Sequence, residues 1–306
     1  MSTSRRERKV RSGFSSRPRP VVLDLFCGAG GMSLGFEMAG YQIGLGVDND
    51  PAACKTHAHN FNGRSVQADI AAIGDPKAFI QGYGLEEVNV IIGGPPCQGF
   101  GRVGRGKLRQ VKNDPNYVHD PRNRLYREFI RFVAALQPLY FAMENVPDIQ
   151  YCQDGEERLI DKAKWEFERL GYMVDWQVLL AASYGVPQTR HRFFMVGNRL
   201  GIPIAWPKPV YSADRYVTAW AAISDLPVVG IRHRRDEIPY KPRREVNGYQ
   251  QFMRQGCDGV LYNHQTRWHN DDDIRAFRML PEGGRYVELP DELRRYDSKK
   301  YPEKRN

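Results

Sequence analysis

Short apolar runs alternate with amphipathic segments over the first two thirds of the chain, and this alternation restricts the possible folds most strongly. "VVLDLFC", "YQIGLGV" and "VNVIIGG" are rich in β-branched residues and predict buried strands. Between them, "GMSLGFEMAG" has helical spacing, and "DPAACKTHAHNF" predicts a helix with Asp50 at its N-cap and Pro51 in its first turn. Strands and helices in this order predict an α/β fold with a doubly wound, mostly parallel sheet.

The same alternation continues to about residue 200 and then stops. A helix from Leu125 to Leu136 precedes the strand "LYFAMEN", and a helix at about 157–170 precedes the strands "YMVDWQVLLAA" and "HRFFMVGN". After Leu200, prolines recur and no long periodic segment is visible. We therefore predict a compact α/β domain over residues 21–200 and an irregular segment over residues 201–306.

Positive charge is concentrated at the amino end. The 306-residue chain has a formal net charge of +9, and residues 1–20 contain seven Arg or Lys against one Glu. Two interpretations of this segment stay open: a solvated, disordered tail, or an arm that binds phosphates without sequence preference.

The cysteine pattern bears on the cellular compartment. The five cysteines are scattered and form no C-x-x-C pair, which favours neither disulfides nor structural zinc: Cys27, Cys54, Cys97, Cys152 and Cys257. In "CKTHAH", His59 does not share a helix face with Cys54 and His57, so no metal site is predicted. No apolar run approaches the length of a membrane span, and we expect a cytoplasmic protein without a membrane partner.

The first strand leads into a glycine-rich turn, "DLFCGAGGMSLGF". Gly28 and Gly30 allow the backbone to approach a ligand at a helix N-terminus, and Asp48 closes the next strand where a carboxylate can accept from a ribose diol. The glycines do not have the G-x-G-x-x-G spacing that suits a pyrophosphate. Taken alone, the turn fits a nicotinamide or flavin site equally well, and Asp48 could instead cap a helix.

A cysteine follows the strand "VNVII", in "GGPPCQGFG". Pro95 and Pro96 stiffen the turn before Cys97, and eight basic residues against two Asp between Arg102 and Arg127 favour the thiolate and attract a polyanion. A buried structural cysteine and a solvated basic loop are the alternatives.

Two further segments place polar side chains on the same side of the predicted sheet. "FAMENVP" ends a strand with Glu144, which could hydrogen-bond or protonate a ring nitrogen if burial raises its pKa. In "QTRHR", Arg190 and Arg192 alternate along a strand and could point into one site.

Four of these motifs together, in this order along the chain, are characteristic of one protein family: "DLFCGAGG", "GGPPCQGFG", "ENV" and "QTRHR". Over residues 21–197 the chain resembles bacterial DNA (cytosine-5) methyltransferases, with weaker similarity in "AISDLP" and in "NHQTRWHNDDDIRAFRMLPEGGRYVELPDELR". The resemblance implies a Rossmann-like methyltransferase fold, S-adenosylmethionine as cofactor, and a cytosine flipped out of duplex DNA as substrate. It also implies that residues 201–306 lead toward a target recognition region.

The resemblance assigns a role to each candidate residue. Cys97 would add to C6 of the cytosine, Glu144 would steady N3 and the exocyclic amine, and Arg190 would hold O2 beside Arg192. Cofactor contacts are implied for the methionine end, the ribose and the adenine: Phe26, Gly28, Gly30, Asp48, Asp69, Ile70 and Pro96. DNA contacts are implied in the basic loop after the nucleophile: Gln98, Arg102, Arg105 and Lys107.

The sequence also departs from that family. Gly101 stands where Ser is common, Asn49 where some members have an aromatic residue, and no counterpart of the late arginine-rich and "GNAV"-like motifs is found. We therefore predict that a second polypeptide supplies them in a restriction-modification system. The alternatives are a truncated, inactive DNA-binding or cofactor-binding relic and a tRNA cytosine-5 methyltransferase, although Gly99 stands where the latter has Pro.

Overall fold

The computed structural model describes residues 18–61, 64–96, 125–154, 156–242 and 245–294. The chain divides into two compact units, one ending at Tyr216 and one beginning at Val217. The predicted domain boundary at residue 200 stays a prediction. No helix among the described residues is long and apolar enough to span a membrane.

The first unit is built on a seven-stranded sheet. In chain order the strands are β1 (Val21–Leu25), β2 (Gln42–Asp48), β3 (Ser65–Gln67), β4 (Val90–Gly93), β5 (Tyr140–Asn145), β8 (Met173–Leu180) and β9 (His191–Asn198). Their spatial order is β3-β2-β1-β4-β5-β9-β8. A short separate hairpin joins β6 (Gln153–Asp154) and β7 (Glu157–Arg158). The predicted doubly wound, mostly parallel sheet is confirmed.

One strand runs against the others. β1 to β5 pair in parallel, whereas β9 is antiparallel to both β5 and β8. β8 and β9 pair with Leu180 opposite His191. The connection between these two residues is shorter than the crossover that a parallel pair of strands requires. The alternation of segments does not specify this reversal.

Among the described residues of this unit, five helices cover the sheet: α1 (Gly31–Met38), α2 (Pro51–Asn60), α3 (Pro76–Gly82), α4 (Leu125–Leu136) and α5 (Leu159–Arg169). The predicted cap of α2 is present, because the Asp50 side chain accepts from the amides of Ala52 and Ala53 and Pro51 lies in the first turn. Asp75 caps α3 in the same way.

Both faces of the sheet are buried. Alternate residues of β1 and β4 face two different apolar clusters, since Leu23 and Ile91 belong to the larger one and Val22 and Ile92 to the smaller. The larger cluster includes Phe129 of α4 and other apolar residues of α3 and α5. Continuously buried strands of this kind are typical of parallel sheets covered on both sides.

The second unit consists of short elements: α6 (Ala219–Ile223), α7 (Gly248–Met253), α8 (Asp271–Met279) and a hairpin of β10 (Glu237–Pro239) with β11 (Val260–Tyr262). Asp225, inside "AISDLP", is fully buried in it. Arg254 donates to both carboxylate oxygens of Asp225 at 2.9 Å, and the Tyr240 hydroxyl donates at 2.7 Å. Both carboxylate oxygens of the buried Asp225 thus accept hydrogen bonds, and the ion pair ties the end of α7 to the segment after α6.

Candidate active site

The predicted site residues that the structure describes lie at or next to the ends of strands on one edge of the sheet. Leu25 of β1 is in register with Val47 of β2 and with Gly93 of β4, and Gly93 is in register with Met143 of β5. Because these strands are parallel, their carboxyl ends share one edge of the sheet. The antiparallel β9 brings its amino end to the same edge, where Phe193 lies opposite Asn145.

The turn from β1 to α1 has an unusual backbone. Phe26, Gly28 and Gly30 all have positive φ, at 59°, 54° and 93°. A Cβ added to Gly28 would meet nothing within 4 Å, whereas one added to Gly30 would lie 2.3 Å from a ring carbon of Phe61. Gly28 therefore borders open space, as a ligand-facing position requires, and Gly30 is glycine because the chain beneath it is tightly packed.

Asp48 fastens this turn to the end of β2. Its carboxylate accepts from the backbone N–H of Gly28 and from that of Asp50, both at 2.9 Å. The side chain is half-buried. Asp48 thus has a structural role that the sequence did not indicate, and its remaining lone pairs are what a ribose hydroxyl would meet.

Asp69 and Ile70 follow β3 and begin a 3₁₀ turn over Ile70–Ala72. The Asp69 carboxylate accepts from the Ala71 N–H at 3.0 Å, and Ile70 is nearly fully buried in the larger apolar cluster. Arg131 donates to the Ile70 carbonyl at 3.1 Å. These contacts hold the turn rigid beside the edge where β2 and β3 end.

The turn after β4 is pinned to β5. The Asn145 side chain donates to the Pro95 carbonyl at 3.0 Å in a buried hydrogen bond. A Cβ on Gly94 would lie 3.0 Å from Glu144 Oε2, so a glycine lets this turn approach the carboxylate. Pro96 is the last residue described there; the predicted Cys97, Gln98, Arg102, Arg105 and Lys107 lie outside the described residues.

Glu144 and Arg192 form an ion pair at this edge. Arg192 Nε lies 2.6 Å from Glu144 Oε1, and about a quarter of each side chain is exposed. Burial raises the pKa of the Glu144 carboxyl, and the positive charge of Arg190 opposes that shift. Arg190 itself is exposed and precedes β9. The two arginines and the carboxylate are therefore close together, with Arg192 in direct contact.

Sequence reasoning missed a buried polar group beneath the glycine turn. Ser33 Oγ donates to Asp24 Oδ2 at 2.6 Å and lies 3.1 Å from His57 Nε2, and all three residues are almost fully buried. They come from β1, α1 and α2. An acidic residue within an apolar strand, as Asp24 is, indicates a buried polar partner. The sequence did not identify that partner, because Ser33 is nine residues from Asp24 along the chain and 24 residues from His57.

No group of three or more metal-binding side chains is found among the described residues. The thiol of Cys54 donates to the carbonyls of Asp48 and Val66, each at 3.4 Å, and His57 faces Ser33. The Cys54 and His57 side chains considered for a metal in "CKTHAH" therefore have other partners.

Comparison with known proteins extends these observations. The model of the C-5 cytosine-specific DNA methylase family matches residues 21–271. Type II methyltransferase M1.HphI of Haemophilus parahaemolyticus is 34% identical over 90% of this chain and 64% of its own length. M.AquIA of Picosynechococcus, also a type II methyltransferase, is 34% identical over 67% of this chain and 88% of its own length.

A solved structure agrees with these matches. A prophage-encoded E. coli protein assigned as a DNA modification methyltransferase superimposes with a TM-score of 0.67 at 28% identity, over 85% of this chain and 75% of that one. The chain spans about half to two thirds of the length of the first three curated relatives. The family match covers most of the chain and includes every strand end described above, and the chain belongs to the C-5 cytosine-specific DNA methylase family.

Proposed function

We propose that this chain transfers a methyl group from S-adenosylmethionine to C5 of a cytosine in duplex DNA, through a covalent adduct with Cys97. The observation that carries the proposal is the Glu144–Arg192 pair, which lies beside the pinned turn at Gly94 and Pro95. Pro96 follows Pro95 in that turn, and Cys97 is the next residue in the sequence. Glu144, Arg192 and Pro95, which is two residues before Cys97 in the sequence, therefore lie at one edge of the sheet.

The nucleophile is needed because C5 of cytosine is a weak nucleophile. Addition of the Cys97 thiolate to C6 places an electron pair on the ring, so that C5 can form the new carbon–carbon bond while the donor's methyl–sulfur bond breaks and its electron pair stays on that sulfur. A base then removes the C5 proton, the C6–sulfur bond breaks, and the thiolate leaves with its electron pair. The ring regains its aromatic character as 5-methylcytosine.

Glu144 and the arginines act on the opposite side of the ring. A carboxyl whose pKa is raised by burial can share its proton with N3 as charge develops there. For O2 we favour Arg192, because it forms an ion pair with Glu144, over Arg190, the residue that the family resemblance implies. Arg190 adds positive charge close by.

S-adenosylmethionine, the cofactor expected from the sequence, is the methyl donor of this family and supplies a methyl group on a positively charged sulfur. The residues present fit it. Gly28 leaves open space above the turn, and Asp48 is held with oxygens at the end of β2. Phe26, Gly30, Asp69, Ile70 and Pro96 would form the rest of the pocket.

Direct tests of the chemistry use tritiated S-adenosylmethionine and a trapping substrate. Duplex DNA should accept label, and duplex containing 5-fluorocytosine should form a complex with the protein that survives denaturation, because fluorine cannot leave C5 as the proton does. Cys97→Ser should abolish the complex. Cys257→Ser is the matched control, since Cys257 is an exposed free cysteine of the second unit.

Two results would contradict the proposal. Label that enters tRNA and not duplex DNA would favour the tRNA enzyme. A protein that binds DNA or cofactor but never forms the covalent complex with 5-fluorocytosine DNA would favour the inactive, truncated alternative.

We also propose that a second polypeptide contributes target recognition in a bacterial cytoplasm. One curated type II methyltransferase, M.AquIA, is of similar extent, since this chain covers 88% of its length. Label transfer should then rise when the product of a neighbouring reading frame is added. Full transfer by this chain alone would contradict the two-chain arrangement and leave the chemistry intact.

A further inference from the structure

Two aromatic side chains, His57 of α2 and Phe61 at the end of that helix, lie beneath the glycine turn. A Cβ on Gly46 of β2 would lie 2.4 Å from His57 Cε1, and a Cβ on Gly30 would lie 3.0 Å from His57 Cδ2. The His57 ring therefore fills the space between β2 and the residue that caps α1. Phe61, one helical turn later, packs against His57 with tilted rings whose centroids lie 4.5 Å apart, and it also faces Gly30.

The orientation of that ring is set by the buried polar group. Ser33 has one hydroxyl proton, and its 2.6 Å bond to Asp24 Oδ2 uses it. When Asp24 is ionised, His57 Nε2, 3.1 Å from Ser33 Oγ, must then carry a hydrogen and donate it. Nδ1 is buried, and no partner for it is found among the described residues, so a second ring proton would have nowhere to bond. The arrangement selects the neutral tautomer with hydrogen on Nε2.

The three side chains lie close to the turn that the proposed cofactor would contact. Asp24 is two residues before Phe26, Ser33 is the third residue of α1, and the His57 ring lies directly under Gly30. On its other side, the same turn is held by the hydrogen bond from the Gly28 N–H to the Asp48 carboxylate. If His57 lost its hydrogen bond to Ser33, its ring could rotate, and Gly30 would lose the packing that holds its position.

We propose that His57, oriented by Ser33 and Asp24, is a positioning residue that holds the turn from Phe26 to Gly30 in its cofactor-binding shape. The inference rests on the proposed function, since it assumes that S-adenosylmethionine binds at this turn. It assigns no contact between His57 and the cofactor. Its effect is to keep the cofactor site preformed, so that binding does not have to order the turn.

The test measures the dissociation constant of S-adenosylmethionine by titration calorimetry on the full chain. Ser33→Ala and His57→Phe remove the hydrogen bond to Nε2, and we expect each to weaken binding roughly tenfold, the equivalent of one hydrogen bond. His57→Gln keeps an N–H donor and should restore most of the affinity. The double variant should be no weaker than either single one, because both remove the same bond.

Thr56→Ala is the control. Thr56 lies beside His57 on α2, is exposed, and donates back to the Ala52 carbonyl, so this variant should bind as the wild type does. Folded Ser33→Ala and His57→Phe proteins that bind the cofactor with unchanged affinity would overturn the inference. A wild type that does not bind S-adenosylmethionine would instead contradict the proposed function.

A measurement on the unaltered protein covers variants that do not fold. ¹⁵N spectra of histidine-labelled protein report which ring nitrogen carries hydrogen. Above the Asp24 pKa of about 7, the inference requires the Nε2–H form of His57, with resonances that shift when S-adenosylmethionine is added. An Nδ1–H form would overturn it.

Discussion

Asp24 is a carboxyl group in the middle of an apolar strand, with 1% of its surface exposed. Burial raises its pKa from 3.8 to about 7, while the hydrogen bonds from Ser33 oppose the shift and the charge of Asp48 adds to it. Burial also lowers the pKa of the facing His57. A strand can keep such a residue because Ser33 satisfies it in either protonation state.

This pKa predicts a pH dependence of stability. Between about pH 4 and pH 7, the native state keeps a proton on Asp24 that the unfolded chain has lost, so the free energy of unfolding falls as the pH rises through this window. Asp24→Asn does not titrate. We expect it to match the wild type near pH 4.5 and to be more stable near pH 8, by about 4 kcal/mol at most. Urea titrations at a series of pH values measure the difference, and parallel curves would contradict the assignment.

Glu144 gives a second prediction at the residue scale. Glu144→Gln keeps the shape of the side chain but cannot share a proton with N3, and its bond to Arg192 loses the negative charge. We expect kcat for methyl transfer to fall by roughly 100-fold or more, the usual share of a general acid. Single-turnover assays with duplex DNA check this result.

The matched control for Glu144 is Asp161→Asn. Asp161 Oδ2 also lies 2.6 Å from an arginine Nε, that of Arg158, but the pair is exposed on α5. Its loss should leave kcat unchanged. A comparable fall in both variants would assign the Glu144 effect to folding.

At the scale of elements, close packing of α2 on β2 is what requires glycine at position 46. Gly46→Ala would force its Cβ to within 2.4 Å of the buried His57 ring, and we expect a loss of about 1–3 kcal/mol from overpacking. Gly35→Ala, inside α1 with no atom within 4 Å of the new Cβ, should instead gain about 0.5–1 kcal/mol. Thermal or urea unfolding compares them, and equal effects would contradict the close contact.

The sequence predicted the ends of helices and strands well where a capping residue or an apolar run marks them. The cap at Asp50, the proline after it and the strand His191–Asn198 all agree with the structure. The sequence did not predict β3, which is three residues long, or the reversed direction of β9. A short strand has no measurable period, and strand direction depends on partners that are distant in the chain.

At the scale of the whole molecule, the excess positive charge predicts salt-dependent DNA binding. Replacement of Arg102, Arg105 and Lys107 by Ala should weaken binding to every duplex sequence. The slope of log affinity against log salt should fall by about one unit for each DNA phosphate that the variant no longer neutralises. Binding isotherms at several salt concentrations measure the slope.

The control replaces an equal charge elsewhere. Arg158, Lys164 and Arg169 belong to α5 or its N-cap, and their triple Ala variant should change the slope little. An equal change in both variants would indicate that net charge alone, and not the loop after Cys97, attracts the DNA.

The sequence by itself determined the fold class, the family and the ends of the longer strands, because these follow from hydrophobic period and from motifs that are continuous in the chain. Only the tertiary structure decided which arginine meets Glu144, how Asp48 holds Gly28, and which side chains support the glycine turn. The physical reason is distance along the chain. Glu144 and Arg192 are brought together by the antiparallel pairing of β5 and β9, and such a contact is set by topology that no short stretch of residues encodes.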